Sequence, residues 1–163
     1  MGSGGGGEPR GIGDMKSLIE QAKKELHKSE KEGRKNVFIS FAREDINEVN
    51  LLRGQAKNEK APFEFNDWSV SEPYDSERAL YIKQKIRERI AQSSLTVVYL
   101  SDKTSQSNWV NWEIEESMRQ GKHVVGVFSG EKQPKPIPDI VKQHKIKCVP
   151  WSKLAKVIDK LKE

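Results

Sequence analysis

One cysteine, Cys148, stands in the 163 residues, so no internal disulfide and no multi-cysteine zinc site can form. Histidine is almost as scarce. His27, His123 and His144 are scattered, without a His-x-x-x-His pair, and each reads as a surface or strand-edge residue rather than a metal ligand or base. No apolar run approaches the roughly 20 residues of a membrane span, and no signal-peptide pattern is present. These absences lead us to expect a cytoplasmic protein without a metal or a bound cofactor. No Gly-rich dinucleotide fingerprint or Walker lysine loop follows an apolar run, which counts against hydride transfer and P-loop phosphoryl transfer.

What is present is charge, unevenly placed. Charged residues make up 33% of the chain and the formal net charge is +5. Residues 16–35 hold seven Lys and Arg against four Glu, and residues 141–163 hold seven Lys against two acids. Residues 36–140 hold fourteen Lys and Arg against sixteen acids. The basicity therefore belongs to flanking helices with solvated faces, not to a basic stripe with interleaved aromatics, which counts against a nucleic-acid interface.

Apolar periodicity divides the chain. Residues 1–14 read as a disordered Gly/Ser-rich linker or expression remnant, with Met15 as a candidate start. Leu18, Ile19, Ala22 and Leu26 predict an amphipathic N-terminal helix over 15–33, and residues 34–163 form the main domain. Apolar runs at 36–41, 63–66, 95–101, 124–128 and 146–149 predict strands. Between them, Ile46, Val49 and Leu52 stripe one helix. Ile82, Ile86 and Ile90 stripe another over about 76–92, and residues 108–120 form a third that Gly121 ends. Residues 133–138 are a Pro-rich loop, and Leu154, Val157, Ile158 and Leu161 predict a closing helix. The alternation implies an α/β, flavodoxin-like three-layer sandwich, with about five mostly parallel strands in order 2-1-3-4-5 and helices on both faces.

In such a sheet the ligand crevice lies beyond the carboxyl ends of the strands, where strand order reverses. Ser40-Phe41-Ala42-Arg43 leaves the first strand, Asp67-Trp68-Ser69 the second and Ser101-Asp102 the third. The segment Ser107-Asn108-Trp109-Val110-Asn111-Trp112-Glu113-Ile114-Glu115 opens the next helix. Glu113 stands one turn after Trp109 and shares its face. Glu115 and Glu116 are expected on the solvated side. A single carboxylate beside aromatics is weak equipment for an ordinary glycoside, whose leaving group needs a second carboxyl to protonate it. The N-glycosidic bond of NAD differs, because nicotinamide leaves a pyridinium as a neutral molecule. One preorganised carboxylate can stabilise the developing oxocarbenium ion, and an aromatic face can hold the cationic ring. Packing for the tryptophans and solvation for Glu113 is the competing interpretation of the same spacing.

Three stretches resemble the TIR family: Asn36-Val37-Phe38-Ile39-Ser40-Phe41 as its first strand, the passage from Ile90 to Ser101, and Ser107 to Glu113 as its Ser-x-Trp-x-x-x-Glu signature. The likeness covers most of 36–128. It is nearest to the bacterial TIR-like branch, through the second-strand exit Phe63-Glu64-Phe65-Asn66-Asp67-Trp68-Ser69. The resemblance implies an enzyme that cleaves NAD to nicotinamide and ADP-ribose or a cyclic isomer, with NAD as substrate rather than cofactor. Glu113 would be its catalytic residue. The first-strand exit, Ser40 and Phe41, would contribute to the nucleotide pocket. By their place at the crevice, Arg43, Asp67, Trp68 and Ser69 are further substrate-binding candidates, Arg43 by charge near the pyrophosphate, and Trp109 is a stacking plate for a ring. The resemblance also implies self-association through TIR–TIR contacts and, by similarity to Thoeris-type antiphage defence, a downstream effector that senses the nucleotide product. A non-catalytic TIR scaffold is the alternative. Trp112 before the glutamate departs from the family pattern, and 68–76 lacks the Arg-Asp-x-x-Pro-Gly pattern of receptor TIR domains. A phospho-receiver, with Asp102, Ser129 and Lys147 near strand ends, would need paired acids directly at the first-strand exit. Here Glu44-Asp45 is displaced from it.

Overall fold

In a computed structural model of the chain, residues 16–24, 35–58, 61, 63–66 and 74–161 are described. Residues 16–24 are helical (α1), with Ala22 buried. The linker expected over 1–14 and the remainder of the N-terminal helix lie outside the described residues.

The strands are β1 (Lys35–Ser40), β2 (Phe63–Asn66), β3 (Leu95–Tyr99), β4 (His123–Phe128) and β5 (Lys147–Pro150). The helices after α1 are α2 (Ile46–Asn58), α3 (Ala79–Ala91), α4 (Asn108–Arg119), α5 (Asp139–Gln143) and α6 (Leu154–Lys160). The strands form one sheet in the expected order, β2-β1-β3-β4-β5, and every pairing is parallel. Parallel crossovers place helices on both faces, so the central strands must be apolar throughout rather than alternating. All five residues of β3 are buried.

Strand parity divides the core. Val37, Ile39, Val97 and Tyr99 face α2 and α6, where Val49, Leu154 and Ile158 meet them. Phe38 faces α3 and packs on Ile82, Ile86 and Ile90. Val98 and Leu100 pack on Val110 and Ile114 of α4. Each such side chain, fully buried, contributes about 1.5–3 kcal/mol, so three isoleucines four apart suffice to clamp α3. That helix starts at Ala79, later than the stripe implied. Ser40 shares the parity of Phe38 and so points to the α3–α4 side.

Register fixes the crevice. Ser40 pairs with Val98 and Phe38 with Asn66, so the exits of β1 and β3 lie side by side where the strand order reverses. Gly121, at φ 78°, ends α4 in the left-handed region, with its N–H on the Met118 carbonyl at 2.9 Å. Lys122 N–H reaches Ser117 O, also at 2.9 Å.

Candidate active site

Ser107 explains how the signature is built. It is the N-cap of α4 in extended backbone, and its Oγ accepts the Val110 N–H at 3.2 Å. The cap fixes the first turn, and Glu113 then falls on the inward face, in the second turn of the helix. Ser117 holds the helix to the sheet: its hydroxyl pairs with Thr96 Oγ1 at 2.7 Å and donates to the Glu113 carbonyl at 2.8 Å.

Glu113 thereby meets the end of β1. Ser40 Oγ donates to Glu113 Oε1 at 2.5 Å, and the two residues are 1% and 5% exposed. Burial pushes the Glu113 carboxyl up to about 8, against the pull of the Ser40 hydroxyl, which favours the charged form. Two residues 73 positions apart in sequence thus form one buried acid–hydroxyl pair at the crevice.

The other predicted residues are less tightly gathered. Trp109 is half-buried and packs with Trp112 against Phe38, Ile82, Ile86 and Ile90. Its ring meets Tyr74 edge-on at 5.0 Å between centroids and Trp112 at 6.2 Å. Part of that indole is therefore core. Lys83 Nζ lies 4.5 Å from the Tyr74 centroid and 5.5 Å from that of Trp112. Phe41 packs towards the α2–α6 core, with the Arg53 guanidinium 5.5 Å above its ring. Arg43 is exposed at the start of a 3-10 turn, Arg43–Asp45. Asp67, Trp68 and Ser69 lie outside the described residues. A groove of about 400 Å³ runs beside β2, lined by Arg53, Ala56, Lys57, Phe63 and Phe65.

The expectation for Glu116 is corrected. Glu115 is exposed, but Glu116 is 4% exposed at the α3–α4 junction. Arg119 Nη2 donates to both of its oxygens at 2.8 Å, Arg87 Nε reaches Oε1 at 3.4 Å and Gln120 Nε2 reaches Oε2 at 2.9 Å. Sequence reasoning also missed Asp45, which is 8% exposed and accepts from Ser101 Oγ at 2.6 Å. The signal available was the pair Glu44-Asp45 itself, an acid pair in a loop leaving a buried strand. His123 begins β4, at the opposite end of the sheet from the crevice, and both it and His144 are exposed.

The family model described as Thoeris protein ThsB, TIR-like domain, matches residues 38–133. The chain belongs to this TIR-like family. The match runs from β1 through the loop after β4 and includes both Ser40 and Glu113. No curated protein matches the chain. Among solved structures, it is similar to a Clostridium botulinum CMP N-glycosidase, BcmB, at 13% identity and a TM-score of 0.45, over 77% of this chain and 99% of that one. It is also similar to the TIR domains of the activated Roq1 resistosome that recognises the pathogen effector XopQ, at 16% identity and a TM-score of 0.43, over 77% and 70% of the two chains. Among the described residues of this TIR-like chain, no helix is long and apolar enough to cross a membrane, and no group of three or more His, Cys, Asp or Glu could hold a metal ion.

Proposed function

We propose that this TIR-like chain cleaves the N-glycosidic bond of NAD with Glu113 as the catalytic carboxylate, releasing nicotinamide and giving ADP-ribose or a cyclic isomer. The observation that carries the reading is the buried Ser40–Glu113 pair at the β1–β3 switch point. It is an acid placed where ligands bind in this sheet type, and its side-chain partner among the described residues is a neutral hydroxyl rather than a cation.

The raised affinity of Glu113 for its proton fits this chemistry. A pyridinium brought beside the carboxyl favours its charged form, so the substrate promotes the ionisation that the reaction needs. The carboxylate then stabilises positive charge as the ribose C1′–nitrogen bond breaks. The bonding electron pair leaves with the nicotinamide nitrogen, which becomes neutral and needs no acid. Water attacks C1′ and gives up a proton to leave ADP-ribose, or a nucleophilic atom of the same molecule attacks to close a ring, with loss of a proton where that atom carries one. Ser40 orients the carboxyl. Phe41, Arg43, Asp67, Trp68, Ser69 and Trp109 are assigned to substrate binding, with self-association through TIR–TIR contacts. Membership of the Thoeris ThsB family supports a product that signals to a downstream effector in antiphage defence, in the cytoplasm.

The 5% exposure of Glu113 favours a second reading: a scaffold in which the glutamate is sealed and the chain only assembles. Chromatography of NAD incubated with the parent and with Glu113→Gln separates the two. Nicotinamide release by the parent, lost in the variant, supports catalysis. Equal release by both removes Glu113 from the chemistry. Assembly without NAD loss supports the scaffold.

A further inference from the structure

Asp45 closes the turn after β1 and stands directly before α2, where an aspartate ordinarily caps its own helix. Its side-chain bond goes instead to Ser101, 56 positions away and just past β3. Ser101 is itself held on several sides. Its Oγ, while donating to Asp45, accepts the Lys103 N–H at 3.0 Å. Its own N–H goes to Thr104 Oγ1 at 2.8 Å, and that hydroxyl donates to the Tyr99 carbonyl at 3.1 Å. Thr104 is fully buried. A parallel link lies beside it, from the Tyr99 hydroxyl to Glu48 Oε2 at 2.9 Å.

This arrangement is a poor one if stability alone is the purpose. Asp45 is buried with Glu48, Glu44 and Asp102 near it, and its side-chain partner among the described residues is a neutral hydroxyl. A buried carboxyl is cheaper to keep beside a cation, or to replace with an apolar residue. What the bond does achieve is geometric. It joins the two loops that frame the switch point, one carrying Phe41 and Arg43 and the other leading to the Ser107 cap of α4.

We propose that Asp45 and Ser101 are positioning residues: a staple that makes the β1 and β3 exit loops one unit and sets the substrate-binding side of the cleft. The proposal rests on the reading of Glu113 as the catalytic carboxylate. It differs from the Ser40–Glu113 pair, which joins a strand to a helix rather than one loop to another.

The test compares the full chain with Ser101→Ala, Ser101→Thr and Asp45→Asn, by amide hydrogen exchange and by NAD kinetics. Ser101→Ala should speed exchange roughly fivefold to tenfold in 42–48 and 101–104 together, as expected for one lost hydrogen bond. It should raise KM severalfold while kcat stays within about twofold, the pattern of lost binding rather than lost transition-state contact. Ser101→Thr keeps the hydroxyl and should restore both readouts. Asp45→Asn keeps an acceptor oxygen and should retain parental protection. Faster exchange confined to 101–104, or a fall in melting temperature with no split between KM and kcat, would overturn the staple. A parent without NAD turnover would overturn the reading of Glu113 instead, and the joint or separate exchange of the two loops would still decide whether they move as one.

Discussion

Glu113 and Glu116 stand three residues apart on α4, and both are almost fully buried, at 5% and 4% exposure. Their surroundings are opposite. Glu116 is met by Arg87, Arg119 and Gln120, so its charge is matched and its oxygens are satisfied. Glu113 has the Ser40 hydroxyl, and burial has raised its proton affinity. A matched buried acid fixes two helices against each other. A buried acid with no cation beside it among the described residues is a standing cost, and its place at the switch point is what supports the proposal of chemistry there. The comparison separates a structural carboxylate from a catalytic candidate where helical spacing and burial do not.

The largest expected break in the comparison is in turnover. Glu113→Gln should lower nicotinamide release at least ~100-fold, the scale of removing one preorganised electrostatic group. Glu116→Gln should leave release by the folded protein near the parental rate. Comparable losses from both substitutions, read by single-turnover assays on folded samples, would erase the distinction.

The second effect is in stability, and its sign follows from linkage. Glu113 has a folded value of about 8 against an ordinary 4.5, so between those values the folded state binds more protons than the unfolded state. Stability then falls as pH rises through that window and is level outside it. Glu113→Gln lacks the group and should lack the slope. The variant should gain about 2–4 kcal/mol on the parent near pH 8 and little near pH 4. Urea unfolding at the two pH values measures it. Parallel curves for the two proteins would mean that Glu113 is hydrated and ordinary.

Glu116→Ala should act in the opposite direction and more weakly. It leaves Arg87 and Arg119 without their acid, but their side chains are 31% and 65% exposed and can turn to water. A loss of about 1–2 kcal/mol is expected, visible as a lower urea midpoint with an unchanged slope. A neutral result would make the α3–α4 ion cluster ornamental.

How much of this was legible in the sequence depends on the distance over which each feature is decided. The strands were legible because parallel burial demands continuous apolar runs such as Leu95–Tyr99. The strand order followed from their alternation with helices. The cap at Ser107 and the face shared by Trp109 and Glu113 were local and could be read directly. Helix α5 was not, since five residues after Pro138 are too few to show a period. The burial of Glu116 was hidden because its partner Arg87 lies 29 positions away on α3. Asp45 was noticed only as an acid out of place, because Ser101 becomes its partner only once β1 and β3 are adjacent. The partial loss of Trp109 to the core likewise depends on Tyr74 and α3, which spacing within α4 cannot reveal.

The smallest and sharpest test concerns Ser40. Its hydroxyl stabilises the charged form of Glu113 and opposes the effect of burial. Ser40→Ala removes that bond and should raise the proton affinity of Glu113 further. In the parent, kcat/KM for NAD should climb with pH through about 8 as the free enzyme's carboxyl ionises. In Ser40→Ala the same limb should move to higher pH, with only a modest loss at its plateau because the carboxylate itself remains. Ser40→Thr, which keeps a hydroxyl at the end of β1, should bring the limb back. An unmoved limb in Ser40→Ala would show that the serine only fills space. A limb absent from the parent would show that the acid controlling the reaction is not Glu113. In either result the contrast with Glu116 would have to rest on charge matching alone.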